Sequence, residues 1–100
     1  MTSTRSIKLS KSQLRFATLI EPYPWLEKYW RWGDGEYDCD TKSLDKDIGV
    51  MSHGERVLAQ FFLAVWTGKN KGFDILEAAS VLDVSDREMI AGWLAEPFWT

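Results

Sequence analysis

The sequence predicts a mainly α fold: four to five short helices in one compact domain, 1–100, with a small extended β element near residues 35–40. Three observations carry that prediction. Four segments, Ser10–Gln13, Ser52–Glu55, Asp74–Glu77 and Ser85–Glu88, place a capping oxygen three residues ahead of a Glu or Gln. At that spacing the first side chain accepts from the N3 amide while the second reaches back to the cap's own N–H. Apolar residues then recur at helical spacing behind each start. Residues 34–40 instead alternate acids with Gly35, Tyr37 and Cys39, which is the period of a strand.

In chain order, residues 1–8 are polar and expected to be flexible. After Ser10, the positions Leu14, Ala17 and Ile20 predict an inward face, with Arg15, Thr18 and Glu21 in solvent. Pro22 and Pro24 end that helix, because each lacks an N–H and restricts the residue before it. Pro24 suits the first position of a short second helix carrying Leu26, Tyr29 and Trp30, with Gly33 as its stop. An extended Trp30-Arg31-Trp32, with both indoles on one face, fits equally well. From Asp34 to Asp40 the period of two sends the carboxylates to one face and Tyr37 and Cys39 inward. Leu44 and Ile48 mark a further helical turn before Gly49.

The helix over about 53–67 carries Val57, Leu58, Phe61, Val65 and Trp66, widened by Phe62 and Leu63, so it is expected to pack on more than one side. Gly68 closes it, and Lys69-Asn70-Lys71-Gly72 forms a loop. Phe73, just ahead of Asp74, sits at the hydrophobic-staple position of the next helix, which ends near Leu82. A last helix is expected from Ser85 to about Ala95, stopped by Pro97.

Composition bounds the function classes. Apolar residues make up 45% and charged residues 27%, the balance of an ordinary globular protein. The six tryptophans are its outlier, and they serve either as core bulk or as anchors for a partner. Trp66 and Trp93 read as core; among Trp25, Trp30, Trp32 and Trp99, anchors are expected. A single cysteine excludes an internal disulfide and suits a reducing, cytoplasmic setting. The start shows no apolar stretch of a signal peptide, and the longest apolar run, Phe61–Trp66, is far short of the roughly 18 residues that cross a bilayer. Net charge is −3, divided as +4 over residues 1–31, −5 over 32–55 and −2 over 56–100.

Little in the chain points to bond-making chemistry. Cys39 with His53 is a formal nucleophile–base pair, but Ser52, beside His53, is already occupied as a cap. No phosphate-binding loop, paired zinc motif or dinucleotide fingerprint occurs, so no cofactor and no metal are expected. A calcium loop starting at Asp34 would need Gly at its sixth position and Glu at its twelfth, where Cys39 and Asp45 stand. Residues 75–95 have a helix-turn-helix pattern, with Ala79 at the crossing, Leu82 and Val84 flanking the turn, and Met89 and Trp93 as anchors. Asp86 and Glu88 around Arg87 would repel a phosphate backbone, which makes nucleic acid an unfavoured partner.

The expected activity is therefore binding rather than catalysis. The candidate contact surface is the acidic face of Asp34, Glu36, Asp38 and Asp40 with the aromatic patch at Trp30 and Trp32. The segments WRWGDGEYDCDTKSL, MSHGERVLAQFFLAVW and FDILEAASVLDVSDREMIAGWL, with the closing EPFW, resemble small proteins of phages and prophages. That resemblance implies no activity and assigns no functional residue. By analogy it points to a product that occupies a host or phage protein, such as an inhibitor of CRISPR or another defence. A helix-turn-helix regulator and a virion assembly protein, self-associating or not, are the alternatives.

Overall fold

The computed structural model describes residues 9–33 and 36–100, with residues 32 and 33 given by backbone alone. The segment expected to be flexible, 1–8, and the turn residues Asp34 and Gly35 lie outside the described residues. The chain is mainly helical: α1 (Lys11–Ile20), α2 (Pro24–Glu27), α3 (Thr41–Ile48), α4 (His53–Thr67), α5 (Ile75–Val81) and α6 (Val84–Ala95), with strands β1 (Trp30–Gly33) and β2 (Glu36–Cys39). It divides into two compact units that part between Asp47 and Ile48.

In the first unit, α1 opens on a complete capping box. Ser10 Oγ accepts from Gln13 N and Gln13 Oε1 accepts from Ser10 N, each at 3.0 Å. Its inward face differs from the expected one. Phe16 and Ile20 are fully buried, whereas Leu14 is exposed and Ala17 half-buried. Phe16 offers the larger apolar area, and its ring packs 5.1 Å from Trp30 and 6.5 Å from Tyr37, which sets the rotation of the helix. Pro24 does start α2, but the helix lasts one turn and gives way to β1. Both readings of this segment hold in part.

Strands β1 and β2 form an antiparallel pair in the register Trp30↔Cys39, Arg31↔Asp38, Trp32↔Tyr37 and Gly33↔Glu36. Along β2 the expected alternation is present: Glu36 and Asp38 are exposed, Tyr37 and Cys39 buried. Asp40 N donates to Tyr29 O at 2.7 Å just beyond the ladder. The Asp40 carboxylate then accepts from Ser43 N at 3.1 Å, and its carbonyl from Leu44 N, so Asp40 starts α3 in the manner of a cap.

The second unit is built on α4, whose side chains Val57, Leu58, Ala59, Phe61, Phe62, Leu63 and Val65 are all buried. Ser52 and Glu55 close a full capping box at its start. Gly68 ends it at φ 74°, a left-handed position that a side chain resists, with its N–H donating to Ala64 O. Asp74 caps α5 by accepting from Leu76 N and Glu77 N. Glu77 does not reach back to it, because its Oε2 lies 2.6 Å from His53 Nε2.

The last helix corrects another expectation. Its cap is Asp83, which accepts from Asp86 N at 3.0 Å and also from Ser85 Oγ, so α6 starts at Val84 rather than behind Ser85. Asp83 competes successfully because its carboxylate also complements the positive helix end. Ile90 is the buried residue of α6, with Met89 and Trp93 only half-buried. Past α6 the chain folds back: Phe98 is buried, its carbonyl accepts from Trp93 Nε1 at 3.0 Å, and Thr100 Oγ1 donates to Trp66 O at 2.9 Å. No helix among the described residues is long and apolar enough to cross a membrane.

Candidate partner-binding surface

The residues expected to meet a partner have unequal placements. Trp30 is 4% exposed and spends its ring against Phe16, so it serves the core of its unit and not a contact surface. Trp32 pairs in register with Tyr37, and Asp34 lies outside the described residues. Glu36 and Asp38 do stand exposed on the outer side of β2, although Asp38 Oδ1 also accepts from Cys39 N at 2.8 Å. Asp40 is held by its capping role and by Arg31, whose guanidinium is 3.8 Å away. The Ser43 amide, then the Ser43 hydroxyl, Arg31 and Lys42 keep its carboxyl below the ordinary aspartate range. Glu36 and Asp38 therefore remain as the exposed carboxylates of β2.

The formal nucleophile is masked. Cys39 is buried, and burial followed by the charges of Asp38, Asp40 and Asp45 pushes its thiol up to about 12. A thiol so placed stays protonated at neutral pH and is a poor nucleophile. His53 is engaged with Glu77 in the second unit. Two tyrosines of the first unit are also shifted. Tyr29 donates to Asp47 Oδ2 at 2.5 Å, and that hydrogen bond, with burial, raises it to about 12. Tyr37 reaches about 12 through burial, with Glu27 adding to the effect. Among the described residues, no three His, Cys, Asp or Glu side chains are grouped so as to hold a metal ion.

A surface that the sequence did not announce lies on the second unit. Ile75, Leu94 and Trp99 are 47%, 54% and 55% exposed, and all three line one depression of about 330 Å³. Its floor is aromatic. Phe61 meets Phe73 and Trp93 edge-on at 5.5 Å each, and Trp93 meets Trp99 edge-on at the same separation. A second depression of about 170 Å³ lies between α5 and α6 and shares Ile75, Ile90 and Leu94 with the first. The two depressions adjoin at these shared apolar residues. Large apolar side chains arranged this way are unusual on a surface that meets only water.

The one signal for this surface was the composition of α6. Val84, Met89, Ile90, Trp93 and Leu94 leave no consistently polar face, so part of the apolar side must point outward. Trp99, grouped with the other tryptophans outside the helical stripes, is the exposed indole in the groove. The chain matches no protein-family model, no curated protein and no solved structure.

Proposed function

We infer that this chain is a non-enzymatic protein-binding module of phage or mobile-element type: an inhibitor or adaptor that occupies a host protein, for example a CRISPR or other defence component. The observation that supports it is the apolar groove of the second unit. Tryptophan is a side chain on which binding energy concentrates, and apolar neighbours around it serve to exclude water from the contact. The exposed Glu36 and Asp38 of β2 add an electrostatic contact that speeds encounter more than it deepens affinity. The masked Cys39 favours a role without covalent chemistry. The phage assignment draws on the sequence resemblance, and residence in the host cytoplasm follows from it.

Immobilised protein, exposed to bacterial host lysate, should retain one stoichiometric partner. Leu94→Ser should lose that partner while keeping the helical circular-dichroism spectrum. Equal retention by Leu94→Ser contradicts the reading, and so does a substrate turned over by the purified chain whose turnover is lost on Cys39→Ser or His53→Ala.

A helix-turn-helix regulator is the second reading, favoured by α5 and α6 meeting across the two-residue connection of Leu82 and Asp83. Its charges argue the other way. Asp83, Asp86 and Glu88 cluster at the start of α6, where a recognition helix would meet phosphates, and Arg87 donates instead to Ala79 O at 3.4 Å. Retardation of duplex DNA at low ionic strength would favour this reading; no retardation at high protein concentration removes it.

A further inference from the structure

Behind α6, residues 96–100 run back to α4 as an irregular arm that belongs to neither helix. Both helices are complete without it. α6 ends at Ala95, with Glu96 N donating to Gly92 O and Trp93 O, and α4 is closed by its own Gly68. Pro97 sets the direction in which the arm leaves, because its ring fixes φ and restricts Glu96 before it.

The arm is fastened at few points. Phe98 is buried, whereas Glu96, Pro97, Trp99 and Thr100 are all exposed. The Phe98 carbonyl accepts from Trp93 Nε1 at 3.0 Å, which ties the arm to α6. Thr100 ties it to α4: its N–H donates to Val65 O at 3.4 Å and its hydroxyl to Trp66 O at 2.9 Å. Both carbonyls stand in the last turn of α4, where the helix itself supplies no N–H to meet them. The arm also carries part of the surface described above. The Trp99 ring meets Trp93 edge-on at 5.5 Å and is one wall of the depression of about 330 Å³.

We propose that residues 96–100 form a reversible strap, which swings open about Glu96 and Pro97 while α4 and α6 stay folded. The closed strap completes the depression that Trp99 walls, and the open strap dismantles it. A whole arm is ordered for one buried ring and three hydrogen bonds, none of them a rung of a helix or sheet. Segments with so few buried contacts open locally, at a free energy below that of unfolding the unit around them. α4, with its run of buried side chains from Val57 to Val65, opens only with the unit. The strap stands independently of the protein-binding reading. Its consequence rests on that reading: a partner that uses Trp99 meets only the closed form, so its apparent affinity scales with the closed fraction.

Native-state hydrogen exchange of the full chain, followed by NMR in rising but sub-denaturing guanidinium, reads the opening. The probe is the Trp93 indole N–H, which the strap protects through Phe98 O, and the reference is the set of α4 amides over 58–63. The indole should exchange faster than the reference. Its rate should also ignore low guanidinium, because local opening exposes little surface. Phe98→Ala should bring the indole close to the rate of an unprotected one while the α4 amides stay protected. Thr100→Val, a milder change that removes only the hydroxyl donor, should speed indole exchange a few-fold, as the loss of one hydrogen bond predicts. Indole exchange that matches the α4 amides and rises with guanidinium in step with them overturns the strap, since the arm then opens only when the unit unfolds. Loss of α4 protection together with indole protection in Thr100→Val overturns it as well. Neither result bears on the protein-binding reading, which capture from lysate tests.

Discussion

Phe61→Leu is the sharpest probe of the second unit. Phe61 is buried and meets three rings edge-on: Phe62 at 5.2 Å, and Phe73 and Trp93 at 5.5 Å each. Edge-to-face pairs contribute about 0.5–1.5 kcal/mol each beyond the area they bury. Leucine keeps most of the apolar volume and loses all three pairs, so the expected destabilisation is roughly 2–4 kcal/mol. That is a large share of the roughly 5–15 kcal/mol that holds a domain together. In a domain of this size it lowers Tm by roughly 8–30 °C. Thermal unfolding followed by near-ultraviolet circular dichroism reads both the Tm and the order of the Trp93–Trp99 pair. The control is Leu76→Ala, at a position 78% exposed, which should change stability by no more than about 0.5 kcal/mol. A Phe61→Leu protein as stable as that control would refute the aromatic account of this unit.

Three further outcomes follow from the local structure. Ser52→Ala should destabilise α4 by about 1 kcal/mol in urea unfolding, whereas Ser85→Ala should cost clearly less, since Asp83 caps α6. Gly68→Ala should cost about 1 kcal/mol at its left-handed φ, and Gly68→Asn less, by the same measurement. Alkali should act on the first unit: Cys39, Tyr29 and Tyr37 all have folded-state values raised to about 12, above their unfolded values. Their protonated forms are thus favoured by folding, and that stability is fully present below pH ~9 and lost as the pH climbs through ~12. Tyrosinate absorbance should therefore lag behind free tyrosine, and Cys39 should resist alkylation at neutral pH until denaturant is added.

What was legible in the chain was local. Ser10, Ser52 and Asp74 announce helix starts because a cap and its target amide lie within one turn. Gly68 announces a stop because few residues accept a positive φ. The Glu36–Cys39 alternation needed only the pleat of a strand to place Tyr37 and Cys39 inside. The misreadings concern choices made by distant residues. Leu14 and Phe16 both offer an inward face for α1, and Trp30 and Tyr37, brought near by the hairpin, select Phe16. Asp83 and Ser85 both offer a cap for α6, and a carboxylate accepting two hydrogen bonds prevails over a lone hydroxyl. Trp30 stood among prolines and charges as a plausible anchor, yet its partner ring makes it core. The groove draws on α4, the loop at Lys69, α5, α6 and the segment at Trp99, and no single stretch of sequence contains it.

Hydrogen–deuterium exchange with and without the captured partner tests the docking surface most directly. Added protection should fall on the amides of Ile75–Val81 and Val84–Ala95 and on the segment around Trp99. Protection confined to the β1–β2 hairpin, or none in α5 and α6, would contradict the assignment of this groove as the place where the partner sits.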